Sequence, residues 1–267
     1  MTLERNLYGP DHEAFRETVR TFLTKEVAPH HERWEKNGVV DRQVWRSAGR
    51  QGLLGMAVGE EYGGGGTGDF RYSAVLIEEF ARAGVSGLAL SLHNDIVGPY
   101  LTRLADEEQK RRWLPGFTSG DIVTAIAMTE PGAGSDLQGI RTTATDQGDH
   151  YLLNGAKTFI SNGILADLVV VVARTTPEGG SGGQSLLVVE RGTEASNAAA
   201  TSTRSARRPR TPPSCSSTTC ASPRRTCWAR RTGRSPTSWA TSPRSGWPSR
   251  SGPPPRPRRS WTSPRGT

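Results

Sequence analysis

The segments Ala125-Ile-Ala-Met-Thr-Glu-Pro-Gly-Ala-Gly-Ser-Asp136 and Lys157-Thr-Phe-Ile-Ser-Asn-Gly163 decide how this chain is read. The first opens as a short alternating strand, Ile122 to Met128, and stops at a polar, glycine-rich turn. Pro131 fixes one φ angle and Gly132 and Gly134 allow close backbone approach, while Thr129, Ser135 and Asp136 supply hydroxyls and a carboxylate. Such a turn bares several N–H donors together, which suits the polar edge of a cofactor or a pyrophosphate. Between the two segments, Asp146 to Gly148 turns the chain, Tyr151 to Leu153 runs back, and Asn154-Gly155 reads as a hairpin turn. A strand is then expected over Thr158 to Ser161, where residues two apart share a face. Phe159 and Ser161 would point the same way there, a ring and a hydroxyl able to hold a planar heterocycle.

Downstream, strands are expected near Ile140 to Thr145, Leu168 to Ala173 and Ser185 to Glu190, with a glycine-rich loop over Thr175 to Gln184. Upstream, the pattern is helical. Asp11 reads as a helix N-cap, Phe15, Val19, Phe22, Leu23 and Val27 fall on one stripe, and Pro29 is expected to end it. Val44 to Leu53 and Tyr72 to Ala83 read as helices, and Asp106 with Gln109 as a capping box for a helix over Glu107 to Trp113. Leu88 to Leu104 is apolar and expected to kink or break at Pro99, with His93 a core or loop histidine that has a hydrogen-bond partner. Glu60 to Gly68 lacks the Lys-Ser/Thr of a phosphate loop and is expected to be flexible. Glu78 and Glu79 are expected on a solvated edge rather than as a catalytic pair. His30 and His31 diverge on a helix end and are not expected to bind metal. Helices first and strands afterwards define an α+β chain with segregated layers.

The charge is split. The whole chain has 34 Lys+Arg and 26 Asp+Glu, a net of +8. Residues 1–194 carry 19 basic and all 26 acidic residues, whereas residues 195–267 carry 15 Arg and no acid. That tail holds all three cysteines and no Leu, Ile, Val, Phe, Tyr or Met, so it is expected to be disordered. An arginine-rich RNA-binding arm or a Ser/Pro-rich linker would share this composition. So would a GC-rich gene translated out of frame. Read one base earlier, Ala195 to Arg204 can be written G-F-E-R-G-R-N-L-D-K, and Thr211 to Pro223 D-T-A-E-L-F-F-D-D-V-R-V-P. Within Thr241 to Trp247, L-P-Q-E-R-L can be written. The frameshift is the preferred reading, and the tail's charge then implies no nucleic-acid partner. Residues 1–194 contain no cysteine, which fits a reducing cytoplasm, and no stretch reads as a signal peptide or membrane span.

The run Met-Thr-Glu-Pro-Gly-Ala-Gly-Ser-Asp, followed by Asn-Gly-x-Lys-x-Phe-Ile-Ser-Asn-Gly, resembles the acyl-CoA dehydrogenase family, in its long-chain type. The resemblance covers residues from near the amino terminus to about Glu194. It implies a helical amino-terminal domain over 1–121 and a β-barrel middle domain over 122–194, incomplete here. The carboxy-terminal helical bundle would be missing, its place taken by the tail 195–267.

It also implies FAD-dependent α,β-dehydrogenation of an acyl-CoA thioester: a carboxylate takes the α proton while hydride leaves the β carbon for flavin N5. Met128 and Thr129 would contact the flavin, Ser135 the cofactor's phosphate or the substrate's pantetheine, Phe159 the isoalloxazine face, and Ser161 the region of N5. No catalytic residue is assigned: Arg244 and Ser245 occupy the slot of the family's glutamate, which the shifted Leu-Pro-Gln-Glu-Arg-Leu would restore. The chain as it stands is therefore expected to be inactive. Electron-transferring flavoprotein and a homo-oligomer, dimer or tetramer, are the implied partners. Alternatives are a flavin monooxygenase or nitroalkane oxidase on the same scaffold, and a non-enzymatic chain with an RNA-binding tail.

Overall fold

The structure, a computed structural model, describes residues 7–176 and 183–193 and the backbone of 218–223. Helix α1 (Pro10–Phe22) starts with Pro10 in its first turn, and its N-cap is Gly9, two residues before the expected Asp11. Pro29 does not stop the chain. A π-helical turn, Leu23–Val27, leads into α2 (Ala28–Asn37), where Pro29 sits in a first turn that needs no N–H donor from it. Gly38, left-handed at φ 71°, ends α2. Helices α3 (Arg42–Arg50) and α4 (Arg71–Arg82) follow, then a second π-helical turn, Leu92–Val97, and α5 (Gly98–Leu104) with Pro99 again in the first turn. In α6 (Glu107–Ser119) the Asp106–Gln109 capping box forms as expected, but the helix runs on past Trp113 through Pro115.

The loop expected to be flexible, Glu60 to Gly68, folds back onto 55–59. Gly65 N–H donates to the Gly55 carbonyl at 3.1 Å and Gly66 N–H to that of Val58 at 2.8 Å. The expected solvated edge is also corrected at Glu79, which is 2 % exposed. Its carboxylate accepts from Arg16 (Nη1, 2.7 Å) and Arg20 (Nε, 2.9 Å), tying α4 to α1. Glu78 stays half-exposed beside it and takes the Tyr8 hydroxyl at 2.7 Å.

The sheet is built on β4 (Leu168–Arg174). Strand β1 (Thr124–Ala127) lies parallel along one edge, from Thr124↔Leu168 to Ala127↔Val171. Strand β5 (Gln184–Glu190) lies antiparallel along the other, from Leu168↔Glu190 to Arg174↔Gln184. The hairpin of β2 (Thr143–Asp146) and β3 (His150–Gly155) turns at Gly148, φ 103°, and joins β4 only at Thr143↔Arg174. The unbroken Leu-Val-Val-Val-Val of β4 is explained by burial on both faces. Leu168 and Val170 pack with Val97, Leu101, Trp113 and Phe117 of the helical layer, and Val171 and Ala173 pack with Ala127, Leu153 and Ile160 on the far side.

Two expectations are corrected here. Among the described residues the hydrogen-bonded path runs from β1 and β5 through β4, β2 and β3 and does not return on itself, so the sheet is open rather than a closed barrel. A single residue pair between β2 and β4 leaves no continuous ladder to carry closure. Within the tail expected to be disordered, six residues form strand β6 (Thr218–Pro223), antiparallel to β3 from His150↔Pro223 to Gly155↔Thr218. A ladder needs only backbone N–H and C=O groups, and the free edge of β3 is a template for it. Residues 195–217 and 224–267, including the Arg244–Ser245 slot, Cys215 and Cys227, lie outside the described residues. No helix among the described residues is long and apolar enough to cross a membrane.

Candidate flavin-binding site

The loop after β1 begins as a tight turn. Glu130 N–H donates to the Ala133 carbonyl at 2.9 Å and Ala133 N–H returns to Glu130 at 3.1 Å. Pro131 and Gly132 occupy the two central positions, as a Pro-Gly turn requires. A Cβ on Gly132 or Gly134 would meet nothing within 4 Å, so the loop has open space on its outer side. Asp136 is spent locally: its carboxylate accepts the Gln138 N–H at 3.0 Å and caps the short helix Leu137–Gly139.

The second segment departs from expectation. Thr158 to Ser161 is no strand: the chain turns over Ser161–Leu165, and Phe159 (φ 57°) and Asn162 (φ 63°) are left-handed. The period-two argument that placed Phe159 and Ser161 on one face therefore fails. A phenylalanine in this region is sterically strained, and such residues persist only where surrounding contacts over-determine them. The anchors are visible. Thr158 N–H donates to the Thr129 carbonyl at 2.9 Å, and Asn162 Nδ2 to the Thr124 carbonyl at 3.2 Å. Arg191 Nη2 reaches the carbonyls of Ile164 at 2.9 Å and Ala166 at 2.8 Å, and Arg42 Nη1 that of Leu165 at 3.1 Å. Ile160 is buried, while the Phe159 ring is 52 % exposed.

Asn154-Gly155 is not a turn either. Gly155 closes β3, and a Cβ there would lie 2.3 Å from Thr142 Oγ1, so close approach to Thr142 explains the glycine. That approach leads to a cluster that sequence reasoning missed. Glu130, 7 % exposed, accepts the N–H groups of Arg141 at 2.7 Å and Thr142 at 2.9 Å, the Thr142 hydroxyl, and Lys157 Nζ at 2.9 Å. Lys157 Nζ also donates to the Met128 carbonyl at 2.9 Å. Burial alone would raise the Glu130 carboxyl, but the donors from Thr142, Arg141 and Lys157 outweigh it and hold it below its ordinary value. Both residues stand inside the quoted segments, and their opposite charges are the one signal that could have paired them.

A second buried link ties the helical layer to the site. His93 is fully buried and stacks on Phe117 at 3.7 Å between centroids. Its Nε2 lies 3.0 Å from the Phe117 carbonyl and its Nδ1 2.8 Å from Thr124 Oγ1. A carbonyl can only accept, so Nε2 carries the proton and Nδ1 accepts from the threonine. Burial pushes this imidazole down to about 4.

Of the five expected ligand residues, four are brought together: Met128 and Thr129 on the first loop, Phe159 and Ser161 on the second, joined through Thr158 and Lys157. Ser135 is exposed two residues beyond the tight turn, and no hydrogen bond among the described residues ties it to the other four. The side-chain hydroxyls of Thr129, Ser135 and Ser161 carry no hydrogen bond among the described residues. An exposed ring, three uncommitted hydroxyls and open space at two glycines fit a planar, polar-edged cofactor such as a flavin.

The comparisons with known proteins agree. The acyl-CoA dehydrogenase N-terminal domain model matches residues 9–121 and the middle domain model residues 125–213. The chain belongs to the acyl-CoA dehydrogenase family. It is 51 % identical over 168 residues to the mitochondrial long-chain specific acyl-CoA dehydrogenase of Mus musculus, covering 63 % of this chain and 39 % of that one. The crystal structure of acyl-CoA dehydrogenase from Geobacillus kaustophilus is similar at a TM-score of 0.72 and 41 % identity, covering 83 % of this chain and 59 % of that one. A glutaryl-CoA dehydrogenase from Mycobacterium smegmatis in complex with FADH2 matches at a TM-score of 0.68 and 27 % identity, over 83 % of this chain and 56 % of that one. The chain thus spans about two fifths of the length of the curated relatives it matches, 39 % for the mouse protein.

Proposed function

We propose that the chain derives from an FAD-dependent dehydrogenase of long-chain acyl-CoA thioesters and that residues 1–194 hold its flavin-facing half. The observation that carries this reading is the Thr158–Thr129 backbone hydrogen bond, 2.9 Å, which joins the loop that holds Thr129 to the loop that holds the exposed Phe159. FAD, when bound, supplies the electron sink for a hydride leaving the β carbon. The chain's own part is alignment. Phe159 packs against the ring system, Thr129 and Ser161 hydrogen-bond its polar edge, Met128 contacts it through the backbone, and Ser135 reaches a phosphate or the substrate's pantetheine.

The domains in this reading are 1–121, 122–194 and an out-of-frame tail over 195–267; with the frame restored, a helical bundle follows. The carboxylate that takes the α proton belongs to the shifted Leu-Pro-Gln-Glu-Arg-Leu, which also favours a dehydrogenase over a monooxygenase or nitroalkane oxidase. Acyl-CoA, electron-transferring flavoprotein and further copies of the chain are the partners, with no role for nucleic acid. The cytoplasm suits the cysteine-free residues 1–194, although the mouse relative is mitochondrial by name.

The test uses two proteins from one gene: the 267-residue chain, and a chain with one base restored near the codon for Glu194. Only the restored chain is expected to reduce a dye with a long-chain acyl-CoA. Dye reduction by the 267-residue chain itself overturns the missing base. No flavin and no turnover in either overturns the dehydrogenase reading.

A further inference from the structure

We infer that Lys157 and Glu130 form a positioning pair that sets the spacing of the two flavin-facing loops; the inference rests on the flavin reading above. Glu130 fastens the first loop to the chain at Arg141 and Thr142, through two backbone N–H groups and a hydroxyl. Lys157 then fastens the second loop to the first, with its ammonium shared between the Met128 carbonyl and Glu130 Oε1, each at 2.9 Å. Both side chains are nearly buried, at 11 % and 6 % exposed. As a source of stability such a pair is weak, because the desolvation of two charges offsets most of their attraction. As a spacer it is effective: one ammonium holds a carbonyl of one ligand residue while its own backbone leads, two residues on, to the ring of another. Burial lowers the Lys157 ammonium from its ordinary value, and the Glu130 carboxylate opposes that shift and keeps the donor charged. Lys157 and Glu130 touch the loops and not the ligand, so they act through Met128, Thr129 and Phe159.

The experiment compares the 267-residue chain with Lys157→Met and Glu130→Gln/Lys157→Met, reading thermal unfolding, FAD affinity by flavin fluorescence quenching, and the visible absorption envelope of the bound flavin. The single variant leaves Glu130 buried without its cation and is expected to melt lower. The double variant removes both charges and is expected to recover the melting temperature. In neither is the Met128 carbonyl held, so both are expected to bind FAD at least about tenfold more weakly, about 1.4 kcal/mol, with an altered absorption envelope. Recovery of affinity and envelope together with melting temperature in the double variant shows a purely structural pair and overturns the inference. Unchanged FAD binding in Lys157→Met does the same. If the unsubstituted 267-residue chain takes up no FAD, the same substitutions are compared in the chain with one base restored near the codon for Glu194, and no FAD uptake there overturns the flavin reading itself, and this inference with it.

Discussion

Thr158 donates its backbone N–H to the carbonyl oxygen of Thr129 at 2.9 Å, joining the two loops that flank the open end of the β2–β3 hairpin, where Thr143 pairs with Asn154. One loop follows the parallel strand β1 and the other precedes β4, the strand that pairs with β1. The site is thus built across one strand pair, and β4, buried on both faces, gives it a rigid floor. Thr158→Pro removes the donor and leaves the Thr129 carbonyl unpaired, a loss of about 1–3 kcal/mol. Chemical denaturation is expected to show it, along with weaker FAD uptake. A variant that binds FAD as the parent does would show that this bond does not align the loops.

The Glu79 ion pairs make a sharper prediction about stability. Its carboxylate is buried and faces the nearly buried Arg16 guanidinium at 2.7 Å, whereas Glu78, on the next residue, is 45 % exposed. Glu79→Ala leaves Arg16 in the interface without its main partner and is expected to destabilise by about 3–5 kcal/mol. Glu78→Ala removes a screened, surface-side contact and is expected to change stability by less than about 1 kcal/mol. Equal losses in urea unfolding would contradict the burial of Glu79.

Gly49 predicts the closeness of α3 and α6. A Cβ at Gly49 would lie 2.2 Å from the Ser119 carbonyl oxygen and 2.8 Å from that of Thr118. These are backbone atoms, which cannot swing aside as a side chain could. Gly49→Ala is therefore expected to destabilise by about 1–3 kcal/mol or more, although alanine is the better helix former. A rise in melting temperature would mean the two helices stand farther apart.

What was legible in the chain and what was not follows from the range of the interactions. The Asp106–Gln109 capping box is complete within four residues, and the unbroken apolar run of Leu168–Arg174 is written in its own side chains. His93 was readable as a bonded core histidine because it sits in an apolar run. Glu79 was misread because its partners, Arg16 and Arg20, come from a helix some sixty positions earlier, with sequence separations of 63 and 59. The turn at Phe159 was read as a strand because its residues favour strands locally, and only tertiary anchors hold Phe159 and Asn162 left-handed. Asn154-Gly155 carries a turn signal, yet the glycine serves the contact with Thr142. The flavin-facing residues were named through family resemblance; spacing alone described only a β-rich domain.

His93 predicts how stability depends on pH. The imidazole titrates near 6.5 when free and at about 4 in the fold, because burial penalises its charged form. Above 6.5 both states are neutral there and the contribution is fully present. As pH falls from 6.5 through about 4, the unfolded chain takes up a proton that the native chain refuses, so stability drops by an amount on the order of 3 kcal/mol. Asp95 acts in the opposite sense: burial raises its carboxyl, so the fold gains from acid there. Unfolding curves of the parent and His93→Gln across this range separate the two. The variant is expected to lose the downward slope between 6.5 and 4, and an unchanged slope would place the imidazole in a solvated setting.

Phe159 sets function against stability at one residue. Its left-handed backbone, φ 57°, costs a non-glycine residue about 1–2 kcal/mol, and its ring, 52 % exposed, recovers little of that by burial. Phe159→Gly removes the steric penalty, though glycine's greater freedom in the unfolded chain takes back about 0.5–1 kcal/mol. The expected net is a gain of up to about 1 kcal/mol. FAD affinity should fall at the same time, since the aromatic face proposed to pack on the flavin is gone. Phe159→Leu keeps the strain without the aromatic face, and is expected to lose FAD affinity with no gain in melting temperature. Strain kept where it weakens the fold is reasonable only if the exposed ring has a ligand to meet. A Phe159→Gly chain that melts lower and still binds FAD would refute that account of the turn.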